Sequence, residues 1–264
     1  MRLFQALFWA ALAVAVVVGS AHTALMQWWA TPIILQAETF EDQKTITGTV
    51  TEGNHAHDRA TSEPHTHAVA AEGEEGGWAP QDGVERTFWT WVATVLHALA
   101  LALLGLVALT VRTHLRGPAS SRLFAALGLA TAGYISLHLW PSLGLHAEIP
   151  GMDAAYLEGR QAWWVLAVAS ASAACGAIAL GRSAWRWAAA AALLALPFAV
   201  GAPQPAGDPL AGFSGQAQTA LRTLGADFVR VTHILAVVFW LGLGAACAWA
   251  FQRWVQPVLV TSIR

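Results

Sequence analysis

The chain has 264 residues, 56% of them hydrophobic and only 11% charged, with a formal net charge of −2. A soluble domain carries about 25% charged residues. This chain lacks the polar side chains to cover a globular surface, so lipid has to be its solvent.

A membrane span needs about 20 mostly apolar residues. Six stretches qualify or nearly do: Leu3–Trp29, Phe88–Val111, Leu123–Trp140, Ala162–Leu180, Trp187–Pro203 and Phe228–Phe251, the third and fifth being short. Pro197 in the fifth removes a backbone donor and predicts a kink. The expected fold is therefore all-α: a polytopic helical membrane protein of about six transmembrane helices. The whole chain, residues 1–264, reads as a single integral membrane domain, with a long loop after the first span.

Orientation follows from basic residues. Arg2, Arg112, Arg116, Arg122, Arg182, Arg186, Arg253 and Arg264 fall on one side of the six-span arrangement, and every Asp and Glu falls on the other side or at its edge. The arginine side is expected to be cytoplasmic, with both termini inside and the protein in the cytoplasmic (inner) membrane. Gly19-Ser20-Ala21 resembles a signal-peptide cleavage site, but the apolar run continues to Trp29, long for such a signal. Fourteen tryptophans fit headgroup anchoring. Cys175 and Cys247 form no C-x-x-C or zinc spacing and read as packing residues.

Residues 43–83 form a hydrophilic, low-complexity segment that cannot bury a core and is expected to be a disordered outer loop. It carries two His-x-His pairs, His55/His57 and His65/His67, beside Glu52, Asp58 and Glu63. Neutral imidazole suits Co, Ni, Cu and Zn. In an extended chain each pair presents both rings on one face, so the loop is expected to capture divalent ions weakly and release them. A variable solvated loop is the plainer alternative.

Within the spans lie His22, His97, His138 and His233, one in each of four different helices. Ionisable groups in spans mark sites or pathways. At 1.5 Å per residue all four fall within roughly 15 Å of the outer surface, so they are placed to converge. Met26 follows His22 by one helical turn, and a thioether beside an imidazole suits a soft or borderline transition metal. Hydrogen bonds between helices are the competing explanation for each histidine. The outer segment Leu137–Trp164 adds His146, Glu148 and Asp153, with Arg160 available to pair with an acid; Glu38 stands at the outer end of the first span. There is no phosphate loop of the G-x-x-x-x-G-K-[ST] kind, no G-x-S-x-G and no H-E-x-x-H. An enzyme is not expected, nor is nucleic acid a partner.

The stretches "WWATPIILQAETFE", "LHLWPSLGL…EIPGMDAA", "GRQAWW", "LPFAVGAPQP" and "VTHILAVVFWLGLG", in this order, resemble the CbtA family of cobalt transporter subunits. The resemblance covers nearly the whole chain. It implies cobalt as the transported ion, a link to cobalamin metabolism, and a small one-span partner with a histidine-bearing end, CbtB. Descriptions of the family often count five spans, against the six read here. From the residues alone the ion is a borderline transition metal, so Ni²⁺ and Zn²⁺ stay open beside Co²⁺, with no tightly bound cofactor. Two other readings remain open: a haem-binding electron-transfer protein using two span histidines, and an accessory or sensor subunit without its own pore.

Overall fold

The computed structural model describes residues 1–44, 80–117 and 122–263. The histidine pairs at 55, 57, 65 and 67 lie outside the described residues. Those described fold as helices joined by short turns and two outer loops, with no strand among them. In chain order they are α1 (Arg2–Trp29), α2 (Thr31–Glu38), α3 (Val84–Arg116) and α4 (Arg122–Tyr134). A π-turn (Ile135–Leu139) and the one-turn α5 (Trp140–Ser142) follow. Then come α6 (Leu157–Leu180), α7 (Trp185–Val200) and α8 (Gly215–Ala250), and a second π-turn (Phe251–Val255) leads into α9 (Gln256–Ile263).

Among the described residues, five helices are long and apolar enough to cross a membrane. The sixth predicted span is α7, apolar but only 16 residues long. This accounts for both span counts, since the difference between five and six is one short helix. Pro197 stands inside α7, as expected. Its own carbonyl accepts the Trp163 indole at 2.9 Å, and Leu194 accepts the Trp140 indole at 3.0 Å. Two neighbouring helices thus reach polar groups of α7 that lipid could not satisfy.

The last span was placed at Phe228–Phe251, but its helix is far longer. The apolar helix runs from Gly215 to Thr261. Its outer end is amphipathic and buries Ala217 and Leu221 against Ala37, Ile149, Leu210 and Phe213. This small second cluster caps the outer side. The main cluster lies among α1, α3, α4 and α8, with Leu106, Phe239, Leu243, Phe251 and Val255 at its centre. α6 and α7 form a hairpin whose turn is held by Arg186, which donates to the Gly181 carbonyl at 2.9 Å.

Exposed tryptophans collect at both ends of the spans: Trp28, Trp29, Trp89, Trp91 and Trp164 on one side, Trp185, Trp187, Trp249 and Trp254 on the other. Indoles prefer the headgroup level, so these two belts mark the edges of the apolar layer. Arg2, Arg112, Arg182, Arg186 and Arg253 lie at the second belt, in keeping with the charge segregation of the sequence.

Close helix packing depends on particular glycines. A Cβ on Gly19 would sit 2.8 Å from the Val95 Cα, a backbone atom that cannot rotate away. Gly128 faces open space. We predict that Gly19→Ala separates α1 from α3 and costs about 1–3 kcal/mol. Gly128→Ala should be neutral or stabilising by up to about 1 kcal/mol. Unfolding of the purified variants in detergent distinguishes the two, and equal stabilities would contradict this account of the α1–α3 contact.

A histidine-lined cavity and its outer vestibule

His138 lies inside the π-turn. The cause is local. Pro141 has no N–H to give the Leu137 carbonyl, and its ring crowds that carbonyl, so the preceding turn widens. Tyr134 stacks on the His138 ring, with centroids 5.7 Å apart and an interplanar angle of 23°. From the facing α8, His233 meets His138 edge-on, with His138 Nε2 3.2 Å from His233 Nδ1. In the apo state this is a hydrogen bond whose direction depends on the tautomers. The same spacing suits a shared ion. With metal–nitrogen bonds of about 2.0–2.1 Å, two imidazole nitrogens on one ion stand roughly 3.0 to 3.4 Å apart. Moving the ring protons to His138 Nδ1 and His233 Nε2 frees both facing lone pairs.

His22 and His97 form a second group. Both rings lie against Phe239, at centroid distances of 5.0 and 5.7 Å. The His22 Nδ1 is buried and has no hydrogen-bond partner. Buried polar nitrogens are nearly always partnered, so this atom stands ready for a ligand. His22, Met26, His97 and His138 line one cavity of about 550 Å³, walled by Phe228, Leu235, Phe239 and Trp240. Four span histidines therefore meet around one region, as two pairs rather than one cluster. Among the described residues no three His, Cys, Asp or Glu side chains are placed to hold one metal ion.

Outside this cavity lies another of about 500 Å³, lined by His146, Glu148, Met152, Asp153, Arg160 and the outer end of α8. Gly225, Ala226, Val229 and Arg230 of α8 belong to its wall. At 3.6 residues per turn, His233 is the next residue inward on that strip, whereas Thr232, Leu235, Ala236 and Phe239 face the inner cavity. His138 lines the inner cavity, and its partner His233 lies one turn inward of the α8 residues that line the outer one.

Three of the outer carboxylates, Glu148, Asp153 and Glu38, are ion-paired. Glu148 meets Arg160 at 3.0 Å, which settles which acid Arg160 takes. Asp153 meets Lys44 at 2.6 Å, and Lys44 also donates to the Gly151 carbonyl. Glu38 binds Arg86 through both oxygens, at 2.7 and 3.3 Å. These contacts tie the residues flanking the histidine-bearing loop, Lys44 before it and Arg86 after it, to the outer cap. Met152 packs beneath the cap against Gly225, where a Cβ would come within 3.1 Å of its methyl group.

Sequence reasoning missed Phe239, which lies against both His22 and His97, and Ser136, whose hydroxyl lies 3.9 Å from the Cys175 sulfur. Neither carries a signal in one sequence. The Tyr134–His138 pair was available from its i, i+4 spacing.

What fold and site define is a multi-pass helical membrane protein with an imidazole-lined cavity and a separate outer cavity lined by acidic and basic residues. The family model described as "Probable cobalt transporter subunit (CbtA)" matches residues 4–252, and the chain belongs to this family. No curated protein and no solved structure matches it.

The vestibule wall also contains a pH-sensitive brace. Asp208 accepts the Leu210 backbone N–H at 3.0 Å and pairs with Arg222 at 2.7 Å. The backbone donor first, and then Arg222, hold its carboxyl below the usual range. A lowered value favours the fold above the carboxyl's ordinary pKa, and that contribution disappears as pH falls through the lowered value. We predict that Asp208→Asn lowers thermal stability modestly at neutral pH and that the difference from wild type vanishes in acid. A difference that persists at every pH would remove the brace from this account.

Proposed function

We propose that this chain moves Co²⁺ inward across the cytoplasmic membrane, as the polytopic subunit of an uptake system serving cobalamin metabolism. The observation that carries the reading is the His138–His233 pair, two span histidines whose facing nitrogens have the spacing of ligands to one ion. Both termini are cytoplasmic in this reading, and the loop histidines His55, His57, His65 and His67 face outward. The loop gathers ions when they are scarce. His146, Glu148, Asp153 and Glu38 form the polar mouth, their carboxylates offset by Arg160, Lys44 and Arg86. From there the ion passes to His233 and His138, then to His22, His97 and Met26. No covalent step is involved. Each station binds well enough to replace water and loosely enough to release the ion. Ni²⁺ and Zn²⁺ meet the same ligands, and the preference for cobalt rests on the family.

The inner half of the chain offers few ligands, mainly Cys175 and the buried Cys247. This supports the role of a subunit that works with another, and a small one-span, histidine-tailed protein of the CbtB kind fits it. An accessory role without a pore is separated from this by uptake into proteoliposomes containing the chain alone. The haem alternative has less support. Axial imidazole nitrogens on one iron stand roughly 4 Å apart across the macrocycle, about two metal–nitrogen bonds, whereas His138 and His233 touch directly and Phe239 lies against both His22 and His97.

We predict that His138→Ala and His233→Ala each reduce uptake at limiting Co²⁺ by roughly tenfold or more, with normal abundance in the membrane. The double variant should be little worse than either one, because one missing ligand already breaks a shared site. Defects that multiply would mean two independent roles, and normal uptake by both single variants would refute the assignment.

Deleting residues 54–67 is expected to lower uptake at scarce cobalt and spare it at high cobalt. Uptake abolished at every concentration would make the loop part of the route itself.

A further inference from the structure

The membrane cavity is too large for a bare ion and too poor in ligands for a complete site. It holds about 550 Å³ and carries an unpartnered imidazole nitrogen on His22, yet the described residues bring no three ligand side chains together. Co²⁺ and its neighbours take four or more ligands, and a mostly apolar lining supplies few of them.

The cavity has an inward extension. Leu101, Leu104, Leu137 and Trp240 line it and also line a second apolar space between α3 and α4. These two helices touch little, because each packs on its own neighbour: α3 on α1, and α4 on α8. The result is a groove along the membrane face. Leu104 and Leu129 stand exposed at its lips, while Gly105, Ala108, Ala126 and Ala130 keep its floor shallow. Small residues let another helix approach closely in lipid. Lipid chains also fill such grooves, but they bring no nitrogen or sulfur to an incomplete ion site. The family to which the chain belongs is described as a transporter subunit, so another polypeptide belongs to the working assembly.

We propose that the α3/α4 groove seats a transmembrane helix of the transporter's other subunit, and that this helix carries a metal-ligating side chain which completes the site at His22 and His97. The inference rests on the transport reading and adds where the partner binds and what it contributes. It assigns the groove to neither a second copy of this chain nor a lipid.

Two measurements in native membranes test it. A photo-crosslinking benzoylphenylalanine at Leu104 or Leu129 should capture a polypeptide of different mass from this chain, and the same probe at Val165 on α6 should not. Capture of a second copy, or of lipid alone, overturns the proposal. Ala108→Trp and Leu129→Trp fill the groove from positions that face it without touching the histidines. Each should abolish the crosslink from Leu104 and reduce Co²⁺ uptake at least tenfold at normal membrane abundance. Full uptake by both variants while His138→Ala is impaired overturns the docking alone, whereas full uptake by His138→Ala overturns the transport reading beneath it. X-ray absorption of the Co²⁺-loaded protein gives the coordination directly. The co-purified complex should show at least one more imidazole or sulfur ligand than the chain alone, and should keep it when residues 54–67 are deleted. An unchanged ligand set, or one lost with the loop, rules out donation by the partner.

Discussion

Everything in this molecule follows from the absence of water in the apolar layer. A polar group taken there without a partner costs several kcal/mol, so each one present has been met by another group or stands ready to meet one. The indoles of Trp140 and Trp163 reach α7 carbonyls around Pro197. The threonines fold back on their own helices, as Thr23 does on the Gly19 carbonyl and Thr110 on that of Leu106. Two of the span histidines hold each other. Against this background the buried nitrogen of His22 is informative because almost everything around it is satisfied.

The division of labour between charge and imidazole obeys the same constraint. Full charges keep to the two edges, and at the outer edge Glu148 is opposed by Arg160, Asp153 by Lys44 and Glu38 by Arg86. Deeper in, the candidate donors are imidazoles and a thioether. Under the transport proposed above, a divalent ion would leave a polar, compensated mouth for nitrogen and sulfur donors, which suits a transition metal and handicaps Mg²⁺ or Ca²⁺. Selectivity of this kind needs no rigid cage.

Much of the fold was legible in the sequence because lipid imposes long apolar runs, and because arginine segregation distinguishes the two sides. α1, α3 and α6 start and end close to where hydropathy places them. The outward extension of α8 was not legible, since Gly215–Asp227 is amphipathic and its burial depends on partners such as Ile149 and Phe213, distant in sequence. The span histidines were visible as anomalies in apolar surroundings, and their shared depth followed from counting residues. That they would form two pairs, one of them against Phe239, was not, because helix rotation is decided by packing and by the π-turn that Pro141 provokes. The carboxylates Asp153 and Glu38 could be named, but their counterions Lys44 and Arg86 come from other parts of the chain.

The length of α8 has a mechanical consequence. One continuous rod reaches from the external cap, where Leu221 is anchored, to the far edge, where Phe251 closes the core. Along it sit the wall of the vestibule, His233, and Phe239. Side-chain tips lie about 5–6 Å from a helix axis, so a 20° axial turn displaces them by about 2 Å. A torque applied at the cap would part His233 from His138 and slide Phe239 across His22 and His97 in the same stroke. The two histidine pairs are thereby coupled through one axle, and a shift at one requires no separate linkage to reach the other.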